Sequence, residues 1–318
     1  MGNAIEVHHL TKAYAHATPK HLALNDVSLT IPSGQVYGLI GRNGAGKTTF
    51  VRICATQLAP TSGTVRVLGR DALRTPRDVR SRIAAVPQES RPLYFVRVDE
   101  LIYTYLRIRG MARETAHDRT ESILAQLQLT GVRKTIVNRL SGGMRRRAIV
   151  AMVLATDAEL VFLDEPTTGL DPIARREVWA AVRRAQVEHR TILLTTHYLD
   201  EAEELSARLA LLENGEVRLE GTPADIRARV ALPFRVTIEG APPTSDLEPY
   251  GTVTPIEGGC LVYAREQESR ELAMLALNRG WKVSLAPVSL EDIFLQVVGR
   301  PLDAEGDSPN AEPGAAYA

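Results

Sequence analysis

The sequence predicts an α/β chain built round a phosphate-binding loop, with a helical insert and a small α+β unit at its end. Three observations carry that reading. The run Gly41-Arg-Asn-Gly-Ala-Gly-Lys-Thr-Thr49 fits G-x-x-x-x-G-K-[ST] and stands between an apolar strand, 36–40, and a helix-like segment opening at Lys47. Strands and helices alternate on either side of it. From about Asp99 to Leu129 helical periodicity takes over with no strand signal inside it.

Taken in order, the chain opens with two alternating strands, 4–10 and 22–31, before the strand that leads into the loop. The helix after the loop is expected to run to about Leu58 and to be stopped by Pro60. Strands follow at 63–68, with Val65 and Val67 on one face, and at 83–86. After the helical insert, placed at about 96–157, the α/β rhythm returns with a strand at 160–163. Asp171 then caps a helix whose first residue is Pro172. A strand at 191–195 leads to a short acidic helix through Glu204. The pair Asn214-Gly215 joins strands 209–212 and 216–219 as a hairpin, and Thr222-Pro223 opens one more helix.

Near Leu232-Pro233 the pattern changes. Strands at 234–238 and 260–263, a helix at 268–278, a third strand within 281–285 and a capping box from Ser289 to Asp292 make a separate α+β unit. The division is therefore 1–230, 231–300 and a Pro-, Gly- and acid-rich tail, 301–318, expected to be disordered.

The chemistry sits at the ends of strands. The loop glycines turn backbone N–H groups toward a polyphosphate, and the following helix adds its positive end. Lys47 reaches the β- and γ-phosphates, and the Thr48 hydroxyl is left for Mg²⁺. The strand 160–163 delivers Asp164 and Glu165 at its carboxyl end, where open α/β sheets place their ligands. Asp164 suits the Mg²⁺ shell and Glu165 the polarisation of an attacking water; the plain alternative is a solvated acidic turn. Leu140-Ser-Gly-Gly-Met144 opens another helix and makes a second anion-binding terminus, although one nucleotide needs only one phosphate loop. That terminus is read as serving a nucleotide held by another copy. Alone, Ser-Gly-Gly is an ordinary turn. Arg145, Arg146 and Arg147 are read as a solvated helix face rather than a phosphate patch.

With those motifs in hand the chain resembles the ATP-binding subunit of ABC transporters over about Ile5 to Val230. Tyr14 matches the aromatic that stacks on adenine; Gly41, Asn43, Gly44, Ala45, Gly46, Lys47, Thr48 and Thr49 match the Walker A loop. Gln88 matches the loop joining core to helical subdomain, Ser141, Gly142 and Gly143 the signature motif, and Leu160 to Glu165 the Walker B strand. Gly169-Leu170-Asp171 matches the dimer-contact loop and His197 the switch histidine. Met144 departs from the family's usual Gln, a variant associated with bacterial drug-exporter-like subunits. The unit ending Ser289-Leu-Glu-Asp-Ile-Phe-Leu295 resembles the accessory domain of that subfamily.

The resemblance implies an ABC ATPase core with an antiparallel β subdomain and a helical subdomain. It implies catalytic roles for Glu165, His197, Lys47 and Gln88, with Thr48, Gln88 and Asp164 round Mg²⁺. Tyr14, the loop residues, Ser141 to Gly143 and Asp171 would contact ATP. It also implies a head-to-tail pair of chains, a homodimer on the simplest reading. A separate transmembrane permease would complete the assembly, on the cytoplasmic, inner face of the membrane. Drug-like, lipid or polysaccharide cargo would be exported.

Composition sets the exclusions. Formal net charge is zero, so nothing steers the chain toward nucleic acid. The most apolar stretch, Ala148 to Ala155, is far too short to span a bilayer, and no N-terminal targeting signal is read. Cys54 and Cys260 form no metal or redox spacing, and Cys54 reads as a buried thiol. A P-loop kinase leaves Ser141-Gly142-Gly143 unexplained. An ABC ATPase acting on soluble machinery is the other class; its members carry paired ATPase units or long coiled-coil insertions, and this sequence has neither.

Overall fold

The computed structural model describes residues 2–14, 21–86, 95–228, 231–240 and 242–298. The chain begins with β1 (Asn3–Tyr14), β2 (His21–Pro32) and β3 (Val36–Ile40), enters α1 (Lys47–Cys54), and continues through β4 (Ser62–Val67), β5 (Arg70–Asp71), α2 (Pro76–Arg82) and β6 (Ile83–Val86). The helical insert holds α3 (Val98–Ile108), α4 (Arg113–Gln126) and α5 (Gly142–Leu154). Then come β7 (Leu160–Asp164), α6 (Pro172–Val187), β8 (Thr191–Thr196), α7 (Leu199–Leu205), β9 (Arg208–Glu213), β10 (Glu216–Gly221) and α8 (Pro223–Ala228). The last segment is β11 (Phe234–Glu239), β12 (Thr252–Ile256), β13 (Gly259–Ala264), α9 (Glu266–Asn278), β14 (Lys282–Pro287) and α10 (Leu290–Val298).

Three sheets organise these elements. A six-stranded sheet runs β10-β9-β3-β8-β7-β6, parallel except for the β9–β10 hairpin. That hairpin turns at Asn214 and Gly215, whose φ values of 49° and 79° are the left-handed pair its tight turn demands. A second sheet, β2-β1-β4-β5, is antiparallel, as expected for the β subdomain. The third, β12-β13-β11-β14, is antiparallel and covered by α9.

The central sheet is buried on both faces, which is why its strands read as continuous apolar runs. Tyr37, Leu39, Phe162 and Leu193 face a core shared with α1 and the second sheet. Val36, Val161, Leu163, Ile192 and Leu194 face the core formed with α3 to α6. Phe162 has no exposed surface. Phe162→Ala is expected to cost about 3–5 kcal/mol, the scale for emptying a buried phenyl site, read as a lower urea midpoint at unchanged slope.

Two expectations need correcting. The helix after the loop ends at Cys54, not near Leu58. Thr56 takes φ 60°, and the N–H groups of Gln57 and Leu58 turn back onto the Arg52 carbonyl, so the chain reverses well before Pro60. The arginines 145–147 are not a solvated face, for reasons that belong to the site below. The hairpin, the Asp171-Pro172 helix start and the Ser289–Asp292 capping box form as expected. Cys54 is fully buried, and burial pushes its thiol pKa well up. No helix among the described residues is long and apolar enough to cross a membrane.

Candidate functional site

The strand order places the site. β3 feeds the phosphate loop, β7 ends at Asp164, and β8, between them, ends at Thr196 beside His197. All three carboxyl ends therefore open on one crevice. The loop reaches α1 through Gly46, which sits at the N-cap with φ 107°, a conformation costly to any residue with a Cβ. A Cβ at Gly41 would lie 2.3 Å from the Leu212 carbonyl oxygen, so the loop also needs glycine for space.

Lys47 leaves the first turn of α1 with 4% of its surface exposed, its ammonium 2.7 Å from the Gly41 carbonyl and 3.1 Å from that of Arg42. It also lies 3.3 Å from Glu165 Oε1. Burial lowers the Lys47 pKa, and the attraction of Glu165 and then Asp164 works against that. The Thr48 hydroxyl donates to the Asp164 carboxylate, which also accepts from the Thr195 hydroxyl. Burial holds the Asp164 pKa above its ordinary value, with those two hydroxyls opposing the rise.

Glu165 is held in an uncommon backbone conformation, φ 49°. Its N–H is shared between the Thr195 carbonyl at 3.0 Å and the Thr195 hydroxyl at 3.1 Å. The carboxylate accepts from the Thr168 hydroxyl at 3.3 Å and lies 3.4 Å from His197 Nδ1. Burial alone would raise its pKa, but His197 and Lys47 together outweigh that and bring it down to about 2. Glu165 is therefore an anion at any pH near neutrality, able to accept hydrogen bonds from a water. A γ-phosphate brought to Lys47 would compete with Glu165 for the ammonium and free the carboxylate for that role.

Lys47, Thr48, Asp164, Glu165 and His197 are thus brought together as the sequence predicts. Tyr14 stands at the end of β1, 36% exposed, with its hydroxyl 3.3 Å from that of Thr49 and the Lys12 ammonium 5.5 Å from its ring centre. Asn43 and Gly44 are exposed at the loop tip, and Ala45 is buried beneath them. Gln88 lies outside the described residues.

Ser141 to Gly143 are not among the side chains gathered at that crevice. The Ser141 hydroxyl caps α5 by accepting from Met144 N at 3.2 Å, leaving Ser141 and Gly142 exposed at the helix start. A Cβ at Gly143 would lie 3.3 Å from a Leu170 methyl, so the signature end abuts the 169–171 loop. Asp171 caps α6 by accepting from Ile173 N at 3.0 Å and Ala174 N at 2.9 Å; the Ala174 bond leads in lowering its pKa.

The arginines after the signature correct the sequence reading. Arg147 forms an ion pair with Glu177 at 2.7 Å, both side chains largely buried, and so ties α5 to α6. Arg146 reaches under the crevice to donate to the carbonyl oxygens of Asp164 and Glu165. Arg145 donates to the Asn138 and Leu140 carbonyls. A run of three arginines on a helix reads as solvated because sequence alone does not reveal which carbonyls lie beneath it. Sequence reasoning does not single out Thr195; its signal is the pair Thr195-Thr196 closing the strand beside His197. Among the described residues no group of His, Cys, Asp and Glu could by itself hold a metal ion, so any cation there depends on hydroxyl and nucleotide oxygens as well.

Known proteins resemble this chain in sequence and fold. Residues 24–168 match the family model described as ABC transporter. A daunorubicin/doxorubicin resistance ATP-binding protein of Streptomyces peucetius is 34% identical over 97% of this chain and 96% of its own length. A Nod factor export ATP-binding protein I of Burkholderia lata is 36% identical, over 88% of this chain and 93% of its own. Among solved structures, an ATP-binding subunit of an ABC transporter superposes with TM-score 0.65 at 26% identity, covering 71% of this chain and 92% of that one. A dimeric ATP-binding cassette in a post-hydrolysis state with ADP and phosphate superposes with TM-score 0.64, over 69% of this chain and 98% of its own; at 24% identity it speaks to the fold alone.

Proposed function

The chain belongs to the ABC transporter family as an ATP-binding, ATP-hydrolysing subunit, and on that footing we propose how its residues divide the work. The observation that carries the proposal is the gathering of Lys47, Thr48, Asp164, Glu165 and His197 at one crevice, with a second glycine-rich helix start exposed elsewhere. Each nucleotide is gripped by the 41–49 loop of one chain and by Ser141 to Gly143 of a second copy, head to tail. Tyr14 stacks on adenine, and Asp171 stands in the contact between copies. Glu165 accepts a proton from the attacking water. His197, its Nδ1 3.4 Å from the Glu165 carboxylate, orients that group toward the water.

The oxygens of Thr48 and Asp164, adjacent and hydrogen-bonded, fit Mg²⁺, a hard cation that takes few carboxylates. With Gln88 they would hold it, and bound there it would neutralise charge on the β- and γ-phosphates.

The names of the relatives, one a drug-resistance and one an export protein, support export rather than import. The cargo in this reading is drug-like, lipid or polysaccharide. A separate multi-span permease would dock near Gln88 and the start of the helical insert, where Phe95 is 86% exposed, and would hold the chain at the inner face of the membrane. In this reading the chain divides into an ATPase domain at 1–230, with its helical subdomain at about 96–157, an accessory domain at 231–300, and a tail at 301–318 that lies outside the described residues.

The test is a pull-down from solubilised membranes with tagged Glu165→Gln protein, ATP and Mg²⁺. A co-purifying multi-span protein in fixed ratio is expected. Recovery of ribosomes, nucleic acid or soluble partners alone would replace this reading with an ABC ATPase of soluble machinery.

A further inference from the structure

Arg146 stands where the two nucleotide-binding surfaces of the chain meet. It lies five residues beyond Ser141 on α5, about 7.5 Å along the axis from the signature terminus. Its guanidinium donates to the carbonyl oxygens of Asp164 and, at 2.7 Å, Glu165. Among the described residues it makes no ion pair, and its Nε has no hydrogen-bond partner, so its charge is spent on backbone carbonyls. Asp164, Glu165 and Glu201 supply the surrounding negative field.

Those carbonyls belong to an unusual stretch. Glu165 has φ 49°, a conformation that persists only where its surroundings over-determine it. Thr195 holds the peptide N–H on one side of Glu165, and Arg146 holds the carbonyls on both sides. The carboxylate contacts to Lys47 at 3.3 Å and His197 at 3.4 Å hang from that backbone. Through those hydrogen bonds the position of α5 bears directly on the Glu165 peptide from which the carboxylate hangs.

We propose that Arg146 is a positioning residue that couples the two ATP sites of the paired enzyme. Through it, engagement of one nucleotide by Ser141 to Gly143 sets the Glu165 that acts on the other. This rests on the head-to-tail reading above, in which the start of α5 serves the partner's nucleotide while Glu165 serves its own. Coupling through a rigid helix and two hydrogen bonds is the kind of contiguous physical link that joins distant sites. Turnover at one site then depends on nucleotide at the other, and a two-site enzyme shows this as a Hill coefficient above one.

The experiment is steady-state ATP hydrolysis against ATP concentration for the full chain as wild type, Arg146→Met and Arg146→Lys. ATP-driven pairing is followed in parallel by light scattering, and folding by circular dichroism. The wild type is expected to be cooperative. Arg146→Met is expected to lose that cooperativity and to turn over about 2- to 30-fold more slowly, with half-saturating ATP and pairing unchanged. Arg146→Lys, which keeps a charged donor, recovers part of both and covers the case in which the Met variant does not fold. A merely structural arginine would lower stability and leave the Hill coefficient alone. A paired wild type that hydrolyses without cooperativity, or an Arg146→Met enzyme that keeps it, overturns the inference alone. A wild type that never pairs with ATP removes the head-to-tail reading and the inference with it.

Discussion

Glu165→Gln protein is expected to bind ATP as tightly as the wild type and to hydrolyse it about 10²–10⁴-fold more slowly, the range for removing a positioned general base. Glutamine keeps the size of the side chain and a carbonyl oxygen for the Lys47 contact, and its amide N–H can donate to the Thr168 hydroxyl, but it no longer accepts a proton. The adjacent Asp164, held by Thr48 and Thr195, is untouched, so the cation site and the phosphate loop stay in place. Single-turnover hydrolysis with a separate binding titration distinguishes the two steps. Turnover close to wild type would remove Glu165 from the base role and leave it as a partner of Lys47 and His197 only.

Ser141→Arg should act on the other half of the site. In one chain Ser141 caps α5 and contacts none of the Lys47 cluster, so binding of nucleotide to the monomer is expected to be normal. In the pair, the exposed start of α5 must approach phosphate closely enough for backbone N–H groups to bond it. A long side chain there holds the two surfaces apart and is expected to weaken ATP-driven pairing by about 30-fold or more, the scale of an interface hot spot. Light scattering at saturating ATP reads the effect. Undiminished pairing would show that the signature terminus does not face a second copy's nucleotide.

Much of this was legible in the sequence where local chemistry dictates local structure. The phosphate loop, the Asn214-Gly215 turn and the Asp171-Pro172 helix start each depend on residue types that few other conformations favour. Where tertiary contacts decide, legibility fell. Pro255 hides strand β12 from a sequence reading; the structure makes β12 an edge strand, paired among the described residues with β13 alone, where a missing N–H is tolerated. Helix α2, seven residues long, is too short to show a period, although Thr75-Pro76 marks its start. The early end of α1 had no glycine to announce it, since Thr56 takes the left-handed turn itself. At the site, the carboxylates, the lysine and the histidine could be named from motifs. Arg146 and Thr195 could not, because their importance lies in backbone groups 18 or more residues away that folding brings beneath them.

The third sheet and α10 bear on the core in a way the sequence did not reveal. Leu290, Ile293 and Phe294 pack with Ala202 of α7 and with Ile40, the residue before the phosphate loop. Asp292 anchors that helix by accepting from Arg235 at 3.1 Å, from the Tyr263 hydroxyl at 3.0 Å and from Ser289. The final unit thus braces both the strand that presents the loop and the helix that follows His197.

The shared site is the central claim, and the mass and nucleotide content of Glu165→Gln protein in ATP and Mg²⁺ test it most directly. Light scattering combined with nucleotide quantitation after gel filtration should find a dimer retaining one ATP per chain, reverting to monomer when ATP is withdrawn. A monomer that holds ATP stoichiometrically and never pairs would contradict the claim, because the phosphate loop would then be complete without Ser141 to Gly143 of a second copy.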